Sequence, residues 1–178
     1  MYNDVKEVLL SEEKIADKVL ELAKQISEDF AGKPLIVIGV LKGANVFVAD
    51  LIRKISIPLE LDFMAISSYG TSTQSSGIVK ILKDLDKDIK GMYVLVVEDI
   101  IDTGLTLSYL TENLRSRGAE AIEICTLLDK PERRKAHIDV KYKGFDIPDE
   151  FVVGYGIDYA EKYRHLPFVG ILKEEAYQ

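Results

Sequence analysis

The sequence predicts an α/β fold, a mainly parallel central sheet flanked by helices, and three observations carry that prediction. Residues 34–41 are a continuous apolar run of strand length, and residues 92–98 and 121–128 are mainly apolar stretches that read as further buried strands. Stretches of helical periodicity separate them, and each run ends in Gly, Lys, Asp or Thr turn chemistry. Runs this uniformly apolar suit strands covered on both faces, as in parallel sheets.

Taken in order, Ser11 followed by Glu12 and Glu13 is an N-terminal helix signal, and Ile15, Val19, Leu22, Ile26 and Phe30 recur on one face. A helix is therefore expected over residues 12–30, ended by Gly32-Lys33-Pro34. Residues 34–41 form the first buried strand, a Lys-Gly turn follows, and residues 45–54 read as a second helix. Alternation of Leu59, Leu61, Phe63 and Ala65 predicts a strand that emerges into residues 67–77 (SSYGTSTQSSG). That polar segment reads either as a long hairpin connection or as a lid, with residues 78–85 returning as the partner strand. After the strand 92–98 comes a tight Asp/Thr/Gly turn, a helix over 105–117 with Gly118 past its end, and the strand 121–128. Residues 137–172, rich in aromatics, are expected to cap the same unit, so that residues 1–178 make a single domain.

Composition excludes several classes. An apolar fraction of 47% with 30% charged residues belongs to an ordinary globular protein. Net charge is −7, from 30 acidic and 23 basic side chains, which disfavours nonspecific binding to nucleic acid. The longest apolar runs fall short of the ~20 residues a membrane helix needs. A lone Cys125 in an apolar run acts as a small hydrophobe and fits a reducing compartment. With no basic leader segment at its start, the chain is expected to be cytoplasmic and without membrane attachment.

The chemistry concentrates in residues 94–107 (VLVVEDIIDTGLTL). A buried strand delivers Glu98 and Asp99 to its carboxyl end, and Asp102-Thr103-Gly104-Leu105-Thr106 opens a helix. Crowded carboxylates require a cation, ligand hydroxyls or retained protons. The adjoining helix start offers backbone N–H groups and hydroxyls to a phosphate. A phosphorylated sugar uses both surfaces: its phosphate suits the turn, while its hydroxyls and any attached Mg²⁺ suit the acids. The plain alternative is that Asp102 or Thr103 caps the helix and the other acids are solvated. Neither GxGxxG nor GxxxxGK[ST] occurs, which removes the dinucleotide and P-loop readings.

This string, an apolar strand, two acids, two apolar residues, then Asp-Thr-Gly-x-Thr, is similar to the 5-phosphoribosyl-1-diphosphate signature of the type I phosphoribosyltransferases, and the likeness to their hypoxanthine/guanine branch extends over nearly the whole chain. The resemblance implies that family's fold, with a small hood built from C-terminal and N-terminal segments. It implies transfer of a phosphoribosyl group to N9 of a 6-oxopurine with Mg²⁺ as cofactor. Glu98 and Asp99 would approach the ribose hydroxyls and the metal, Asp102 would serve as general base near purine N7, and Asp102, Thr103, Gly104, Leu105 and Thr106 would wrap the 5-phosphate. Some relatives carry lysine where this chain has Leu105.

Leu41-Lys42-Gly43 matches the family's diphosphate loop, in which the peptide before the lysine is often cis. Ser68 and Tyr69 match the start of its catalytic loop. Lys130 corresponds to the donor for the purine 6-oxo group, Phe151 to the ring that stacks on the base, and Val152 to a backbone contact at the base's other edge. By themselves a strand-end lysine is usually solvated and a Phe is more often core. In the string Gly-Ile-Asp-Tyr-Ala-Glu-Lys-Tyr-Arg, Asp158 matches a metal-holding acid and Arg164 a diphosphate contact. Arg133, Arg134 and Lys135 are expected to be solvated rather than to join a subunit contact, and His137 and His165 receive no role. The family's habit implies a homodimer or homotetramer. A second class remains open, a regulator that keeps this fold while binding nucleic acid; the retained base, lid and purine lysine argue against it, as does the acidic balance.

Overall fold

A computed structural model describes residues 2–68 and 79–177. Its elements run β1 (Val5–Leu10), α1 (Glu12–Asp29), β2 (Leu35–Leu41), α2 (Asn45–Ile52), β3 (Glu60–Ser68), β4 (Val79–Lys83), β5 (Tyr93–Ile101), α3 (Leu105–Ser116), β6 (Ala121–Asp129), β7 (Tyr142–Asp146), β8 (Val152–Val153) and β9 (Val169–Leu172). The central sheet has six strands in the order β4-β3-β2-β5-β6-β7. All neighbours are parallel except β3 and β4.

Local signals account for the helices. In α1 the Ser11 hydroxyl accepts from the Lys14 N–H at 3.3 Å, and Ile15, Val19, Leu22 and Ile26 are buried as their spacing predicts. These side chains join Phe47, Val48 and Leu51 of α2 to cover one face of β2, β5 and β6. Leu107, Leu110 and Leu114 of α3 cover the other face, packing against Ile36, Ile38, Val94 and Val96. Both faces of β2 and of β5 as far as Val97 are thus apolar, which is why residues 35–41 and 93–97 read as unbroken hydrophobic runs.

The chain leaves β2 toward β3 on one side and then resumes on the other side of β2 with β5 and β6. That reversal puts a crevice at the carboxyl ends of β2 and β5, where open parallel sheets collect their ligands. A second sheet of three strands, β1-β9-β8, is antiparallel and forms the hood.

Three expectations need correction. Residues 142–146 are not part of the cap: β7 extends the central sheet beside β6, and the Tyr142 hydroxyl donates to Asp29 at 2.6 Å, tying this edge to the end of α1. Ser67 and Ser68 continue β3, paired with Lys80 and Val79, instead of opening the polar loop. β5 runs to Ile101, three residues beyond the predicted strand end. No element was expected for residues 5–10, because a short half-exposed strand whose partner lies at the far end of the chain leaves little local periodicity.

Candidate active site

Two loops meet at the crevice. At the end of β2 the Leu41–Lys42 peptide is cis, as the resemblance anticipates. Gly43 lies so close to Asp99 that a Cβ there would collide with the carboxylate. Gly156, with φ of +98°, in turn rests against the Gly43 carbonyl. Glycines at both positions let a β2 loop, a β5 acid and a hood turn pack in one layer.

Because β5 extends to Ile101, its two acids stand within the strand and diverge. Glu98 lines a cavity of about 240 Å³ with Thr103, Gly104, Thr106 and Leu107, on the α3 side. Asp99 bears on Gly43, and its Oδ1 accepts from the Ile100 N–H at 2.8 Å. Burial, and then the adjacent Asp99 charge, hold the Glu98 carboxyl well above its ordinary range. Burial also raises Asp99, opposed by the Ile100 N–H and the Arg164 charge. This corner therefore favours a cation or hydroxyl donors over two bare charges.

The helix that opens beside them has Gly104 as its N-cap, at φ +80°, and no side chain caps it. The Leu105 N–H makes a long 3.4 Å contact with the Thr103 hydroxyl, and Gly104 and Thr106 at this helix start line the cavity, a setting whose free backbone N–H groups suit an anion. Neither Asp102 nor Thr103 is the cap that the plain alternative required.

Asp102 is set apart from the other two acids by a cation that was expected to be solvated. The Arg133 Nε lies 2.6 Å from its Oδ1, and Arg133 also reaches Asp149. Arg134 pairs with the buried Asp129 and donates to the Asp102 carbonyl at 3.4 Å. Lys135 and Ala136 donate their N–H groups to the Thr103 carbonyl at 2.8 and 3.1 Å. The basic run is thus a brace for the Asp102–Gly104 turn, invisible in sequence because its acceptors lie about thirty residues away.

Lys130, whose backbone N–H donates to the Ile101 carbonyl, is largely buried with Nζ 3.7 Å from Asp149. A side chain only 11% exposed is not the solvated strand-end lysine of the plain reading. Phe151 departs from its plain reading in the opposite sense: it is 39% exposed rather than core. Tyr177 stacks on its ring at 4.8 Å, and Tyr159 meets it edge-on at 5.3 Å. Val152 pairs with Ile171 in the hood, beside this trio. Tyr177 and Tyr159 were missed because only the tertiary fold brings the chain end to Phe151.

Asp158 and Arg164 meet at 3.0 Å, and the Asp158 Oδ2 accepts from the Glu161 N–H at 2.8 Å. Arg164 also donates to the Gly156 carbonyl at 2.8 Å, while its buried Nε has no partner among the described residues. Glu161, which sequence reasoning passed over, pairs with Lys42 at 2.9 Å and with Arg164 at 3.3 Å. Tyr69 and the polar segment 69–78 lie outside the described residues, and Ser68 is placed only as the end of β3. Among the described residues no three His, Cys, Asp or Glu side chains converge as a ready metal cage, and no helix is long and apolar enough to cross a membrane.

Comparison with known proteins bears on this geometry. Residues 6–160 match the family model for the phosphoribosyl transferase domain. The chain is 55% identical over 178 residues to the hypoxanthine-guanine phosphoribosyltransferase of Bacillus subtilis, covering all of this chain and 99% of that protein. It is 52% identical to the Mycobacterium avium protein of the same name, covering 98% of this chain and 89% of the relative. Among solved structures, a hypoxanthine phosphoribosyltransferase from Staphylococcus aureus superposes with a TM-score of 0.97 at 54% identity, over 100% of this chain and 97% of the other. The hypoxanthine phosphoribosyltransferase from Trypanosoma cruzi, solved as a point mutant in a ternary substrates complex, gives 0.93 at 38% identity over 99% of this chain and 100% of the other. With a cavity where Glu98 meets an uncapped helix start, and with the family model and relatives matched over most or all of its length, this chain belongs to the phosphoribosyltransferase family.

Proposed function

We propose that the chain is a purine-salvage enzyme that transfers the 5-phosphoribosyl group of 5-phosphoribosyl-1-diphosphate to N9 of hypoxanthine, and of guanine, releasing diphosphate. One observation carries the reading: the start of α3 and the acid Glu98 line one cavity, with Asp99 next to Glu98 on β5, and an amide-rich helix start beside an acid suits a sugar phosphate. The names of the similar proteins agree with it.

The residues divide the work. The turn into α3 and its first residues, Asp102 to Thr106, take the 5-phosphate, and Glu98 and Asp99 take the ribose hydroxyls. Lys42 with Gly43 on one side and Arg164 on the other hold the diphosphate; Arg164 presents a guanidinium already oriented by Gly156 and Asp158. Lys130 donates to the 6-oxo group, which favours 6-oxopurines over adenine, whose exocyclic amine would oppose donor to donor. Phe151 stacks on the base and the Val152 backbone meets its edge. Asp102, held in place by Arg133, receives the proton at N7.

Mg²⁺ use is general in this family; among the described residues Asp158, Glu98 and Asp99 form no ready cage, so each of these acids would hold an ion only together with the substrate's oxygens, where it would neutralise the leaving diphosphate. We read Ser68 and Tyr69 as the start of a lid that excludes water from the cationic ribose. Residues 1–178 act as a single cytoplasmic domain, assembled as a homodimer or homotetramer. The nucleic-acid regulator reading has no support from the similar proteins or from the net charge of −7.

The test is a competition assay offering hypoxanthine, guanine, xanthine and adenine with 5-phosphoribosyl-1-diphosphate, with and without Mg²⁺, following diphosphate release. Asp102→Ala should lower kcat by about 10²- to 10⁴-fold while changing diphosphate-sugar binding little. An unchanged kcat removes Asp102 from the mechanism, and no release with any purine rejects the assignment.

A further inference from the structure

Lys42 and Arg164 are the cations that flank the proposed diphosphate position, and they are not free to receive it. One carboxylate joins them: Glu161 Oε2 lies 2.9 Å from Lys42 Nζ, and Glu161 Oε1 lies 3.3 Å from Arg164 Nη2. The loop after β2 and the turn before β9 are thereby tied through an anion that belongs to the chain itself. The turn is built to present it. Ala160, Glu161 and Tyr163 all have positive φ, at 49°, 63° and 76°, and the Glu161 N–H is anchored on Asp158 at 2.8 Å. A non-glycine run in the left-handed region is rare, and it persists only where the surroundings fix it.

We infer that Glu161 is an internal occupant of the diphosphate site, which must swing out when the diphosphate binds and which returns as it leaves. The inference rests on the function proposed above. Glu161 and Lys42 side chains are 66% and 65% exposed, so their contact is an exposed ion pair, weak and screened by solvent. Diphosphate brings more charge and more oxygens to the same two cations, and therefore displaces a single carboxylate. Arg164 keeps its orientation through the exchange, because the Gly156 carbonyl still holds it. Lys42 has no second hydrogen-bond partner among the described residues, so it is free to follow the incoming ligand. The consequence is lower affinity for diphosphate than the two cations alone would give, and faster release of the product.

The measurement is isothermal titration of the full chain with diphosphate in the presence of Mg²⁺, comparing wild type with Glu161→Gln. Glutamine keeps the size of the side chain and removes its charge. Losing an internal competitor of two exposed ion pairs should tighten diphosphate binding roughly two- to tenfold. Binding of inosine 5′-monophosphate, which engages the start of α3 instead, should stay within about twofold by the same reasoning. In a Lys42→Met background the gain from Glu161→Gln should shrink, since half of the contact is already gone. Unchanged diphosphate affinity overturns the inference. Weaker binding overturns it too, by making Glu161 an organiser of the cations rather than their competitor. A wild-type chain that binds neither diphosphate nor the nucleotide fails at the proposed function itself, a result distinct from either of these.

Discussion

Replacing Gly43 by alanine puts a methyl group where the Asp99 carboxylate now rests. The added Cβ would stand 2.7 Å from Asp99 Cγ and 3.3 Å from Oδ1. Nonbonded carbons prefer about 3.5–4.0 Å, so the carboxyl group must recede by about 1 Å. Receding breaks the 2.8 Å hydrogen bond from the Ile100 N–H and turns the acid away from the ribose position. Misplacement of a reacting or positioning group by about 1 Å costs on the order of 10²-fold in rate, or about 2.7 kcal/mol. Asp99 is half-buried on the rim of the crevice, so its movement leaves the core intact and stability should fall by less than about 1 kcal/mol. The assay is steady-state kcat/KM for 5-phosphoribosyl-1-diphosphate, with thermal unfolding in parallel. We expect a loss near 100-fold with Tm lowered by no more than about 4 °C. A variant within threefold of wild type would refute the reasoning: either the loop yields without moving Asp99, or Asp99 does not act on the sugar.

Two further predictions concern specificity and stability. Lys130→Met preserves the buried stem and removes the donor, so KM for hypoxanthine should rise about 10- to 100-fold, matching the loss of a charged hydrogen bond, while KM for the diphosphate sugar stays within about twofold; equal rises in both would end the purine role. Asp62, 8% exposed, accepts from the N–H groups of Phe63 and Asp86 and from Lys83 at the base of β3 and β4. Burial opposes its charge, yet these donors prevail and hold the carboxyl below its ordinary range. Its stabilisation is therefore complete above the unfolded-state value near 3.9 and is lost as pH falls through the lower folded value. Asp62→Asn should cost about 2 kcal/mol at pH 7, or roughly 4–8 °C in Tm, and the difference should close toward pH 2. A gap that persists unchanged at low pH would assign the effect to packing instead of charge.

The sequence by itself determined the layered α/β plan, because strands covered on both faces must read as continuous apolar runs and α1 must show its buried stripe. It also marked the candidate site, since residues 98–106 place acids, glycine and threonines within one strand-to-helix turn, where covalent proximity alone keeps them together. What it could not determine were partners distant along the chain. Arg133 looked solvated until the fold carried it to Asp102, and Glu161 looked incidental until the β2 loop brought Lys42 to it from 119 residues away. The β7 strand and the Tyr177 ring on Phe151 belong to the same class. Local patterns record which face of an element is buried. Which loop meets which, and so which charge finds which, is settled only by long-range packing of the sheet and its hood.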